Sequence, residues 1–121
     1  MTYPRLNKDE MMYRNKVWLF IVASLLCSAG QVQAKDVIVE IYKKQFIPSE
    51  IIIEAGDRVI WKNIEKRQYH NVWFKGSGEE EPDYFFPDES YQRQFDQSGS
   101  FAYECGPHPK MKGKVIVKKT E

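Results

Sequence analysis

The chain has 121 residues, enough for one small domain, and 18 Lys and Arg against 17 Asp and Glu give a formal charge of +1. That near-balance excludes the basic footprint of a nucleic-acid binder. Two cysteines and two histidines leave few side chains for metal or acid–base chemistry.

Residues 14–34, "RNKVWLFIVASLLCSAGQVQA", have the layout of an export signal. Arg14 and Lys16 supply its positive start, residues 17–26 its apolar stretch, and Val32, Gln33 and Ala34 a small-residue cleavage site. The apolar run is about 13 residues long, whereas a bilayer span needs roughly 20. The expectation is a leader and cleavable signal peptide over 1–34 and a periplasmic domain over 35–121, with no stable membrane insertion after cleavage. An uncleaved anchor is the alternative. A lipoprotein cleaved at Cys27 fits poorly, because Leu26 stands where a small residue belongs. Met11 or Met12 is an alternative start. Residues 35–121 carry 14 basic and 15 acidic side chains, a formal charge of −1. If Cys27 leaves with the leader, Cys105 is a lone cysteine in an exported domain, where disulfides normally form. Metal ligation is the role its neighbours suggest.

After residue 34 the pattern is that of short strands. "DVIVEIY" (36–42) alternates Val37, Val39 and Ile41 with Ile38, Glu40 and Tyr42. "EIIIEAGDRVIWKN" (50–63) reads as two strands joined by a turn at Ala55, Gly56 and Asp57, with Val59 and Trp61 on one face. "HNVWF" (70–74), "SYQRQF" (90–95), "GSFAYEC" (99–105) and "GKVIVKK" (113–119) are further β-rich runs. No segment keeps an apolar 3.6-residue period for three turns, so the chain is predicted to be an all-β, antiparallel sandwich. Residues 78–89 hold six acids and no base, and Lys110, Lys112, Lys114, Lys118 and Lys119 crowd the C-terminus. These read as solvated segments or, more sharply, as docking patches that steer a partner.

The chemistry concentrates in "YECGPHPKM" (103–111). Cys105, His108 and Met111 follow one another at intervals of three, and Pro107 and Pro109 fix φ on either side of His108. His70, the other histidine, opens a strand-like run 35 residues before Cys105. Each residue alone has an ordinary structural reading, as core filler or solvated side chain. Together a thiolate, two imidazoles and a thioether suit a soft metal, and this combination marks a blue-copper electron-transfer site. Zinc is the competitor, but it favours more cysteines and takes Met poorly.

The stretch "FIPSEIIIEAGDRVIWKN…QYHNVWF…GSFAYECGPHPKMKGKVIV" resembles the small type 1 copper proteins, the cupredoxins, over residues 45–75 and 90–118. Its C-x-x-H-x-x-M loop looks most like that of the amicyanin group. The resemblance implies a Greek-key β-sandwich of seven or eight strands with one copper ion at one end. It makes His70 and His108 the imidazole ligands, Cys105 the thiolate and Met111 the long axial thioether. It also gives Asn71 the task of tying the two ligand loops together. Tyr69 departs from the Pro usual before the first histidine, and Trp73 adds a large aromatic nearby. With the acidic run at 78–89, these departures mean that methylamine dehydrogenase, amicyanin's partner, is not carried over to this chain.

The implied function is a periplasmic blue copper carrier that shuttles single electrons by a Cu(I)/Cu(II) cycle, and not an enzyme. No third histidine is present to build a second copper centre or to serve as a base. The expected partners are transient protein redox partners (a dehydrogenase, cytochrome or oxidase), with the chain itself a monomer. Electrons would pass through the edge of His108, framed by the prolines and by Trp73 or Tyr69. The short loop implies a His108 that leaves the metal and takes a proton in the reduced state. A copper storage, delivery or sensing protein is the alternative, and it would be expected to show a Met-rich or His-rich surface.

Overall fold

Strand alternation places one side chain in two on the inner face. In β1 (Asp36–Tyr42), Val39 and Ile41 are fully buried, while Glu40 and Tyr42 face outward. β2 (Gln45–Ile47) folds back on β1 through a hairpin tipped by Lys43 and Lys44. Both have positive φ, 50° and 53°. A two-residue hairpin needs that conformation, and residues with a Cβ adopt it at a cost of roughly 1–2 kcal/mol each. β3 (Glu50–Glu54) then enters a second sheet, and the turn at Ala55, Gly56 and Asp57 returns the chain to the first sheet as β4 (Arg58–Asn63). β5 (Ser90–Gln94), β6 (Gly99–Glu104) and β7 (Lys112–Lys118) complete the set, with a 3₁₀ turn at Lys75–Ser77.

The computed structural model describes residues 33–120, together with Thr2 and Lys8. The expected signal peptide lies outside the described residues up to residue 32, Cys27 included, and only Gln33 and Ala34 of its cleavage site are described. No helix among the described residues is long and apolar enough to cross a membrane. Ala34–Glu121 forms one compact unit. Its seven strands make two sheets, ordered β2-β1-β4-β5 and β3-β7-β6, so the expected all-β sandwich is present.

Two expectations need correction. The sandwich is not purely antiparallel, because β1 pairs with β4, and β3 with β7, in parallel register. The chain crosses between sheets after β2 and again after β3, which brings strands distant in sequence side by side in the same direction. Residues 70–74 are not a strand either. They make only isolated bridges, His70 with Phe85 and Trp73 with Glu104. The backbone there is spent on carrying side chains into the end of the barrel-like core.

That core takes Val39, Ile41, Val59 and Trp61 from one sheet and Ile51, Ile53, Tyr103, Val115 and Val117 from the other. Phe46, Phe74 and Phe95 fill the space between. Full burial of such side chains contributes about 1.5–3 kcal/mol each. Gly113 in β7 lies opposite Tyr103 in β6, and a Cβ there would run into the Tyr103 ring. Because that ring is buried, Gly113→Ala is expected to cost about 1–3 kcal/mol. For a domain of this size each kcal/mol lowers the melting midpoint by roughly 4–8 °C. Thermal denaturation checks this, and an unchanged midpoint would refute the clash.

Candidate metal centre

Cys105 follows the last residue of β6, and Met111 precedes the first residue of β7. The loop between them closes on itself. Cys105 N–H donates to the Met111 carbonyl (3.0 Å), His108 N–H to the Cys105 carbonyl (3.2 Å), and Met111 N–H to the His108 carbonyl (2.9 Å). Pro107 and Pro109 have no N–H to satisfy and hold φ near −65°. The ring of His108 is thereby fixed from both sides.

His70 arrives by a separate route. Its backbone exchanges two hydrogen bonds with Phe85, at 3.1 and 2.8 Å. The preceding loop is organised by buried Asn63, whose Nδ2 donates to the Gln68 (2.8 Å) and Phe85 (3.2 Å) carbonyls. Asn63 Oδ1 accepts from Glu65 N–H at 3.0 Å. Asn71 then joins the two ligand-bearing loops. Its Oδ1 accepts from Gly106 N–H at 2.7 Å, and its Nδ2 donates to Glu81 Oε1 and the Pro82 carbonyl, both at 3.1 Å. The tying role expected of Asn71 is thus observed. A Cβ at Gly106 would displace the Glu81 carboxylate and crowd Asn71 Nδ2.

The result is a convergence of donor atoms. Cys105 Sγ lies 3.6 Å from His70 Nδ1 and 3.5 Å from His108 Nδ1. One atom from each of the three residues falls within 4.8 Å of the others. Cys105 and His70 have no exposed surface, and His108 is partly exposed. Met111 is buried at the end of the loop, with its backbone bonded to those of Cys105 and His108. All four residues singled out in the sequence therefore lie at one end of the sandwich.

The electrostatics favour ligation. The far nitrogen of His70, Nε2, has no hydrogen-bond partner and faces Glu65 Oε1 at 3.7 Å. A proton on Nε2 is attracted to that carboxylate and leaves the Nδ1 lone pair directed at the sulfur. Burial pulls the His70 pKa below its ordinary value, with the His108 charge adding to the effect and Glu65 opposing it. Burial likewise lowers His108, helped by the Lys44 charge. Burial pushes the Cys105 thiol up, against the backbone N–H groups of Asn71 and His108. The imidazoles are accordingly neutral and ready to ligate, and the thiol must give up a proton when a metal binds.

A pH dependence follows for metal-free protein. Both histidines have folded-state pKa values below the ordinary 6.5, so the unfolded chain binds more protons as pH falls through that value. Stability is full well above pH 6.5 and declines as pH drops below it. The melting midpoint of metal-free protein is expected to fall between pH 8 and pH 5. A level midpoint over that range would show that the two rings titrate normally.

The two aromatics singled out near the first histidine, Tyr69 and Trp73, each have a partner. Tyr69 stacks on Tyr84 at the surface, with centroids 5.1 Å apart. Trp73 is half-buried and donates its Nε1–H to the Glu79 carbonyl at 2.8 Å. The acidic run is partly committed to structure. Glu79 forms a two-pronged pair with Arg93, Glu81 holds Asn71, and Glu89 accepts from Phe86 N–H. Asn63, Glu65 and Glu81 were not picked out by the sequence analysis. Only Glu65 had a signal, as an acid five residues before a candidate ligand, and that alone is too common to act on.

A buried thiolate donor and two imidazoles at one end of a two-sheet sandwich fit a single soft metal ion. The two Sγ–Nδ1 separations are close to those of ligands sharing one ion at roughly 2.0–2.3 Å each. The chain belongs to the plastocyanin/azurin family of copper binding proteins, which it matches over residues 33–118. Within that family it is similar to amicyanins. The amicyanin of Paracoccus versutus is 39% identical over 94 residues, covering 74% of this chain and 70% of its own. The amicyanin-alpha of Methylorubrum extorquens is 37% identical over 101 residues, covering 80% and 84%. The crystal structure of the Paracoccus versutus amicyanin superposes with a TM-score of 0.61 at 35% identity, over 75% of this chain and 87% of that one. The present chain is a blue copper electron-transfer protein with one copper ion, and not an enzyme.

Proposed function

We propose that His70, Cys105, His108 and Met111 hold the copper ion and that electrons pass through the partly exposed edge of His108. The convergence of Cys105 Sγ with two imidazole Nδ1 atoms carries this reading. The bound ion supplies a one-electron Cu(I)/Cu(II) couple. The chain supplies a rigid frame. The self-closing loop, the two prolines and the Asn71 bridge keep the four side chains in one arrangement, so little rearrangement accompanies a change of charge. Burial of Cys105 and His70 keeps water from the sulfur, and His108 alone of the two rings reaches the surface.

The further parts of the reading rest on the sequence. Residues 1–34 export the chain to the periplasm and are removed, and the remaining domain works as a monomer. Its partners are a dehydrogenase, cytochrome or oxidase that docks briefly at the His108 end, as weak redox encounters do. Titration of the purified chain with Cu(II), followed by visible absorption, tests the site. An intense blue band that saturates at one copper per chain and bleaches reversibly on one-electron reduction is expected. A colourless complex would refute the electron-carrier site and favour copper handling or zinc.

A further inference from the structure

A groove of about 440 Å³ lies beside the His108 edge, lined by Lys44, Gln45, His108, Pro109, Lys110 and Met111. Its two charged walls are both cationic and come from different parts of the fold. Lys110 belongs to the ligand loop, and Lys44 to the β1–β2 hairpin. That hairpin tip is built from Lys43 and Lys44 at positive φ, where Asn or Gly fits the backbone better. Departures from local preference tend to gather at functional positions. Both lysines and Lys110 are exposed.

The carboxylate bonded to the hairpin tip, that of Glu65, is turned inward. The Glu65 side chain is only 11% exposed, faces His70, and is held by Lys44 N–H at 2.7 Å. Of the six acids of residues 78–89, Glu79, Glu81 and Glu89 are engaged within the fold. Residues 35–121 carry a net charge of −1, yet Lys44 and Lys110 line the groove beside His108 with no acidic side chain between them.

We infer that this groove is the docking site for a carboxylate-bearing, anionic surface of a one-electron protein partner, selected by Lys44 and Lys110. The inference rests on His108 being the electron port. One electron crosses between the reduced protein and an oxidised partner, and no bond forms or breaks.

Hexacyanoferrate(III), a small anionic oxidant, probes this by stopped flow on the reduced, copper-loaded full chain. The double variant Lys44→Gln/Lys110→Gln is expected to lower the second-order rate at low ionic strength by about tenfold and to flatten its salt dependence. The charge-matched pair Lys118→Gln/Lys119→Gln, at the far end of β7, is expected to change the rate by less than about twofold. Equal losses in both double variants, the mark of net charge alone, would overturn the inference, and so would no loss in either. A second readout needs no electron transfer. Hexacyanochromate(III), inert and paramagnetic, is expected to broaden the amide signals of Lys44 and Lys110 in metal-free protein and to spare those of Lys118 and Lys119. Broadening centred elsewhere would overturn the inference even if the protein proved a competent carrier. A chain that stayed colourless and inert to hexacyanoferrate would instead refute the His108 port, and with it the redox partner.

Discussion

Cys105→Ser is expected to abolish the blue absorption completely and to weaken copper binding by more than about 100-fold. Residues that merely orient metal ligands contribute about 10–100-fold to affinity, so loss of the thiolate itself exceeds that range. Serine is nearly isosteric, but its hydroxyl is a hard donor that keeps its proton at neutral pH, whereas a soft thiolate is what selects copper here. Cys105 is fully buried and its backbone bonds run to the loop rather than through its sulfur. The sandwich should therefore survive, and far-ultraviolet circular dichroism checks that it does. Visible spectra and a competitive copper titration give the result. A blue band in the variant, or unchanged copper affinity, would remove Cys105 from the ligand set.

The second large effect concerns the core behind the site. Trp61 on β4 has no exposed surface and touches Phe74, Tyr91, Phe95 and Tyr103, with ring centroids 5.4 to 6.5 Å apart. Tyr103 belongs to the other sheet, two residues before Cys105, and Phe74 ends the His70 segment. Trp61→Ala removes the largest side chain that joins the sheets and leaves a cavity its rigid aromatic neighbours cannot close. A loss of about 3–5 kcal/mol is expected. That is much of the 5–15 kcal/mol available to a typical domain, so urea denaturation should show a folded state close to failure at room temperature. Trp61→Phe, which keeps an aromatic ring, should lose less than half as much. Equal costs for the two variants would mean that ring area is not what joins the sheets.

The proposed ligand set stood out in the sequence because its chemistry is rare. One cysteine, two histidines and one methionine in a domain otherwise poor in such residues can meet in few ways, and the spacing of Cys105, His108 and Met111 describes a loop between strands. The inward faces were legible for a similar reason, since period-two alternation marks Val39, Ile41, Val59, Trp61, Val115 and Val117 directly. The strand read over residues 70–74 failed because β-branched and aromatic side chains report burial, and His70, Val72 and Phe74 are buried without a ladder around them. β2 escaped notice because three residues are too few to display a period.

What the amino-acid sequence determined by itself was local: which residues turn inward, where the chain turns, and which donor atoms the copper end could use. Pairing partners were beyond it. The parallel register of β1 with β4 and of β3 with β7 depends on which sheet each strand joins, and alternation is the same for either direction. The frame of the metal centre was likewise a tertiary matter. Asn63, Glu65, Asn71 and Glu81 act through hydrogen bonds and charges across gaps of up to 35 residues, and the cationic groove joins a hairpin to a loop more than 60 residues away. Such contacts arise only when the two sheets close, because burial brings their ends together, and no periodicity along the chain encodes them.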